Sequence, residues 1–117
     1  MRPQSAKAKG RRLQQWVGKQ ISKLIDRPFG PDEEIASREM SQSGTDIRLV
    51  GKAKKLFKYD IECKNCEKWS IFKWIEQAKS NTDKGRDWLI VAKRNRMDPV
   101  VMMDWKAFVK LFKRGMK

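Results

Sequence analysis

The sequence predicts an α/β domain with the element order α-β-β-α-β-β-α and a mixed four-stranded sheet flanked by helices. Three observations carry that expectation. Residues 11–26 repeat apolar side chains at helical spacing (Leu13, Trp16, Val17, Ile21, Leu24 and Ile25), making one stripe. Residues 45–50 and 57–64 alternate apolar and polar side chains, the period of a strand. Residues 88–92, Trp-Leu-Ile-Val-Ala, are almost continuously apolar, as in a strand covered on both faces. A helix between the second and third strands supplies the crossover that a parallel pair in mid-sheet requires. At 117 residues the chain is one domain with one modest core.

Taken in order, residues 1–10 carry Arg2, Lys7 and Lys9 with Pro3, Gly10 and little that is apolar. They read as a flexible basic tail ahead of a domain over 11–117. In the first helix Gln20 lies within the stripe and Gln14 at its edge, and amides beside a buried face need partners. Arg27-Pro28 ends that helix. Residues 29–43 read as a loop with one turn of helix at most, and they gather Asp32, Glu33, Glu34 and Glu39. Acids at a helix start are the favoured reading of that island; the other turns one of them toward a metal site. Gly44 permits a backbone turn into the first strand. Residues 51–58 form a basic turn with Lys52, Lys54, Lys55 and Lys58, either a solvated hairpin tip or a phosphate-contacting loop.

A second helix follows over 69–80, with Ile71, Trp74, Ile75 and Ala78 on its core face and Gln77 beside that face. Turns are expected at 81–85 and 93–96, and a fourth strand at 100–103 behind Pro99. Asp104 caps a closing helix over 105–113, with Trp105, Phe108, Val109 and Phe112 directed inward. Most of the five tryptophans fall at core spacings.

Twenty-eight Lys and Arg against 14 Asp and Glu give a net charge of +14 and a pI of about 10.1. Such a field favours polyanions, either nucleic acid or an anionic membrane. The sequence shows no apolar run of spanning length and no secretory leader, so DNA or RNA and a cytoplasmic location are expected. Cys63 and Cys66 make one Cys-x-x-Cys and there is no His, so the chain cannot close a four-ligand zinc site alone. Cys63 falls on an inward strand position, which favours a reduced, structural pair. The lack of His also removes His-based nucleases and triads.

The chemistry concentrates in Gly44-Thr45-Asp46 and Asp60-Ile61-Glu62-Cys63-Lys64. Alternation sends Tyr59, Ile61 and Cys63 to one face and Asp60, Glu62 and Lys64 to the other. If the two strands pair, Asp46 approaches Glu62, with Lys64 beside them. Adjacent carboxylates repel, so they share a proton or a cation. Hard oxygen ligands of this kind suit Mg²⁺ or Mn²⁺. The acid-x-Lys spacing is weak alone, because Asp104 and Lys106 repeat it at a helix start. The plain alternative is a solvated strand face with an i, i+2 ion pair.

The order of elements and these motifs together resemble the PD-(D/E)XK nuclease superfamily. Within it the chain looks most like the small archaeal-type Holliday junction resolvases and related phage-encoded nucleases. The resemblance covers roughly residues 9–113 and rests on Ser43-Gly44-Thr45-Asp46, Ile61-Glu62-Cys63-Lys64 and Glu76-Gln77-Ala78. It implies a restriction-endonuclease-like core and a Mg²⁺-dependent DNA endonuclease acting on branched DNA such as a Holliday junction. Asp46, Glu62 and the backbone carbonyl of Cys63 would hold the metal. Lys64 would position the attacking water and stabilise the phosphate, with Gln77 beside the site. Gln14 stands where these resolvases carry a Glu after a Lys-Gly pair, here Lys9-Gly10. Its role would pass to Gln14 itself or to Glu34 or Glu39. Phosphate contacts are expected from Lys7, Lys9, Arg11, Arg12, Ser43, Lys52, Lys54 and Lys55. The partners expected are DNA and, in a homodimer, a second copy of the chain, with no membrane. The alternatives are a non-catalytic basic nucleic-acid-binding protein and a small basic ribosome- or virion-associated protein.

Overall fold

The computed structural model describes residues 3–39 and 43–116. Met1 and Arg2 of the expected tail, and Ser41-Gln42 of the expected loop, lie outside the described residues. Helix α1 runs Pro3–Ile25, so helix replaces the expected tail from Pro3 onward. Ala and Lys are strong helix formers, and a proline is tolerated in a first helical turn. The segment has no apolar stripe, which is why the sequence reads as a tail. It is tied down through its backbone, because Asn65 Nδ2 donates to the Lys9 carbonyl at 3.2 Å. Farther along α1, Leu13, Val17 and Ile21 are buried while Trp16 and Leu24 stay exposed. Gly18 lets Phe29 lie against the helix: a Cβ there would stand 2.2 Å from the ring.

Strand β1, Ile35–Ser37, forms inside the segment expected as loop and pairs antiparallel with β2, Ile47–Leu49. Three residues are too few for alternation to show in a sequence; the pairing comes from burying Ile35, Ile47 and Leu49 under α1. Helix α2, Gly51–Leu56, replaces the expected basic turn. Its start is held from far upstream. Glu34 Oε1 accepts from Ala53 N at 2.9 Å, and the same carboxylate pairs with Arg27. A carboxylate at a helix N-terminus is favoured by the exposed N–H groups and the helix dipole.

The larger sheet has the order β3-β4-β5. Strands β3 (Tyr59–Asn65) and β4 (Asp87–Lys93) are parallel and joined through α3 (Ile71–Asn81), as the crossover predicts. Strand β5 (Val100–Met102) is antiparallel to β4 and leads into α4 (Trp105–Gly115). The expected single four-stranded sheet is therefore corrected to sheets of two and three strands. Asp46, just ahead of β2, meets β3 through one backbone bond, Asp46 N to the Ile61 carbonyl at 3.0 Å. The next rung is a side chain: the Asp46 carboxylate accepts from Cys63 N at 2.7 Å.

Each face of the larger sheet has its own cluster. Ile61, Cys63, Leu89 and Val91 pack under α1, and Trp88, Ile90 and Ala92 pack under Trp74 and Ala78 of α3. The face carrying Asp60, Glu62 and Lys64 is thus roofed by α3 rather than solvated. Arg86 locks the approach to β3. Its Nε donates to Asp60 Oδ1 at 2.7 Å, and its other nitrogens bond the carbonyls of Lys54, Phe57 and Tyr59.

Asp104 caps α4 as expected, accepting from Ala107 N at 2.8 Å. The inward direction of its aromatic residues is not found: Ala107 is buried, while Trp105, Phe108 and Phe112 are 73%, 44% and 59% exposed. A helical stripe defines an apolar face without saying what covers it.

Candidate metal centre

The site grows from the free edge of β3. In a strand, the N–H and C=O of one residue point to the same side. The Ile61 carbonyl and the Cys63 N–H both turn toward Asp46, so the Cys63 carbonyl turns to that edge as well. Glu62, one residue between, bonds its backbone toward β4 and sends its side chain under α3. Gly44, at φ +107°, turns the chain so that Asp46 enters this edge, and Arg38 closes over the turn by donating to the Thr45 carbonyl at 2.6 Å.

Glu62 is the most telling residue. It is 1% exposed, yet among the described residues Asn81 Nδ2 is the one side chain that donates to it, at 2.8 Å. Burial first, and then the negative charge of Asp46 within hydrogen-bonding reach, push its carboxyl pKa up to about 7; Asn81 and Lys64 pull the other way. The Asp46 and Glu62 carboxylates thus lie near enough to interact, and Asp46 reaches this edge by a side-chain rung to Cys63 N rather than by a strand ladder. The buried Glu62 carboxyl, with its pKa near neutral, is poised to trade a proton for a cation.

Lys64 leaves the strand on the same face as Glu62. Its ammonium donates to Gln77 Oε1 at 2.7 Å and lies 6.0 Å from the centre of the Trp74 ring. Gln77 thus reaches the site by holding Lys64. Asn81, one turn farther along α3, was not singled out by the sequence; its place on the Gln77 side of the helix is the signal that could have found it.

The donor set fits a hard divalent ion: two carboxylates, a backbone carbonyl at the same edge and no soft ligand. Cys63 offers no thiolate. Its sulfur packs in the α1 cluster, and burial together with the Asp46 charge raises the thiol pKa well above normal. Both cysteines are free, as expected of a structural pair. Among the described residues no third Asp, Glu, Cys or His side chain joins the carboxylates to complete a cage.

Other expected contributors hold contacts of their own. Gln14 is buried, and its Oε1 accepts from Ser37 Oγ at 2.7 Å on β1. Glu34 is spent on Arg27 and α2, and Glu39 is exposed and lines the cleft that holds Gln14, Ser37 and Arg38. Lys7 and Arg11 line a cleft of about 580 Å³ with Gln14, Ser37 and Arg38. Ser43 lines a neighbouring cleft of about 720 Å³ with Arg38 and Arg48. Arg12, Lys52 and Lys55 are exposed, and Lys54 pairs with Asp83 at 3.1 Å. Lys9 departs from its expected phosphate role. Its Nζ is buried without a hydrogen-bond partner among the described residues, as is Asn65 Oδ1 nearby.

No protein-family model, curated protein or solved structure matches this chain. Among the described residues no helix is long and apolar enough to cross a membrane.

Proposed function

We infer that the chain is a divalent-metal-dependent DNA endonuclease selective for branched DNA. The observation that carries this reading is the buried Glu62 carboxyl held against Asp46 at an open strand edge, with Lys64 fixed beside it by Gln77. A structural ion pair would not need a carboxyl buried against a second carboxylate. Asp46, Glu62 and the Cys63 carbonyl would hold Mg²⁺ or Mn²⁺. When bound, such an ion lowers the pKa of a coordinated water and offsets charge on the phosphate. Lys64 places a second positive charge at the same point, where charge develops on the phosphate oxygens. Asn81 orients Glu62, and the net charge of +14 draws DNA to the surface. The cleft beside β1 lined by Lys7, Arg11 and Arg38 offers backbone contacts that position a strand without reading its bases.

Labelled four-way junction, flap and linear duplex are to be incubated side by side with Mg²⁺. The expected result is nicking of branched substrates that stops with chelator and in Asp46→Ala. If Asp46→Ala nicks as well as the parent chain, the cutting does not come from this centre and the reading fails; if no substrate is cut while all are bound, the protein is a non-catalytic nucleic-acid-binding protein.

A further inference from the structure

Lys7, Arg11, Gln14 and Gly18 succeed one another on α1 at steps of four, three and four, so they share one line along the helix. The first three line the cleft of about 580 Å³ beside β1, and Phe29, which also lines it, rests on Gly18. The ends of the cleft differ in character. Lys7 and Arg11, both exposed, make one end cationic, and the half-buried Phe29 ring and the Gln14 amide make the other. From Arg11 to Gly18 the helix rises about 10 Å, so one small ligand can touch both ends. Gln14 is the built part of this cleft. The side chain is 8% exposed, and the Ser37 hydroxyl holds one end of its amide. The Nε2 at the other end has no partner among the described residues, yet it is not sealed from solvent. A buried, oriented amide with unspent donors calls for an acceptor from outside the chain.

We propose that this cleft seats one unpaired nucleotide of the DNA strand that the metal centre cuts. The proposal rests on the nuclease reading above and narrows its substrate. The phosphate goes to Lys7 and Arg11, and the base goes to Phe29 and Gln14. Base edges carry acceptors for the Gln14 donors and exocyclic amines for the Glu39 carboxylate at the rim. A bare phosphate would use neither ring nor amide, and Glu39 would repel it. A base within a duplex has both faces stacked, so only one out of the stack can lie against Phe29. Extrusion costs least where the nucleotide is already unpaired. Arg38 connects this cleft to the metal centre. It lines the cleft, its N donates to the Asp46 carbonyl at 2.7 Å, and its Nε donates to the Thr45 carbonyl. The cleft therefore shares a wall with the turn that delivers Asp46. Branched DNA with an unpaired nucleotide at the branch, such as a flap, is the substrate that uses both, in preference to a fully paired four-way junction.

Fluorescence anisotropy with chelator present tests the seat without cutting. The probes are a duplex with one unpaired thymidine and the same duplex with an abasic site at that position. The parent chain should bind the thymidine probe at least about fivefold more tightly. Phe29→Leu, which keeps an apolar side chain on Gly18, and Gln14→Met, which removes the amide, should each bring that ratio toward one, with circular dichroism on both. If neither variant folds, photo-crosslinking of the parent chain decides: 5-iodouracil at the unpaired position should join to the peptide holding Phe29 or Gln14. Equal binding of the two probes overturns the proposal. So does a ratio that persists in the folded variants, or a crosslink confined to other peptides. Release of the thymidine probe by micromolar thymidine monophosphate assigns the cleft to a free nucleotide and also overturns it. With Mg²⁺ present, a fully paired four-way junction cut as fast as a flap overturns the proposal and leaves the nuclease reading standing. A retained thymidine preference with no cutting of any substrate upholds the nucleotide seat, and only the nuclease reading falls.

Discussion

Glu62 links the electrostatics of the site to the stability of the fold. Its carboxyl pKa in the folded chain is raised from 4.5 to about 7 by burial and by Asp46. Below pH 4.5 the group is protonated whether the chain is folded or not. Between the two values the unfolded chain releases its proton and the folded chain keeps it, so the folded state loses relative stability as pH rises. A rise of that size corresponds to no more than about 3.5 kcal/mol. In metal-free protein Glu62→Gln should flatten this slope while keeping the hydrogen bond from Asn81, and it should be the more stable chain above neutrality. Urea midpoints at about pH 5 and about pH 8 with chelator present check the prediction. A parent chain whose midpoint is the same at both would mean that Glu62 ionises normally.

Between elements, Arg86 serves as the fastening. It joins the end of α2, the connector and β3, with both its side chain and that of Asp60 close to fully buried. Arg86→Ala leaves the Asp60 charge without its ion pair and three carbonyls without donors, and it should cost about 3–5 kcal/mol in chemical denaturation. Arg86→Lys should recover little of that, since one ammonium cannot span the fork of contacts. A loss below about 1 kcal/mol would show that the contacts are replaceable by solvent. Nothing in the spacing of the sequence announces this role, because it depends on three carbonyls converging in space. The same applies to β1 and α2. The first is three residues long and the second is capped by Glu34, seventeen residues ahead of its start at Gly51, so neither leaves a local pattern. By contrast β3, α3 and β4 were legible, since each buries a face long enough for its period to show. Asp46, Glu62, Lys64 and Gln77 were legible as a group because strand alternation and one helix set their positions. The bond from Ser37 to Gln14 was not, because Ser37 belongs to the unseen strand.

For the whole molecule, catalysis and general affinity can be separated. Lys64 is one of 28 basic residues, so removing it should change DNA affinity little. If its charge acts on the phosphate in the transition state, Lys64→Ala should slow single-turnover cutting by about 10²-fold or more. Lys52→Ala and Lys55→Ala, on the exposed side of α2, should do the reverse. Each lost phosphate contact removes about 0.9 from the salt slope and leaves the cutting rate nearly intact. Single-turnover rates beside salt-dependent binding titrations measure both effects. Lys64→Ala cutting at the parent rate would reduce the residue to part of the basic surface.

The two sheets stop short of becoming one at a single place, after the bond between Asp46 N and the Ile61 carbonyl. Had β2 continued its ladder along β3, a main-chain carbonyl would take up the Cys63 N–H, and the Cys63 carbonyl would be tied to a main-chain N–H. The vacancy in the sheet and the polar centre are thus the same structural fact. Stabilising this protein by completing the sheet, an obvious aim for a designer, would remove the backbone oxygen and the carboxylate approach on which the proposed metal centre depends.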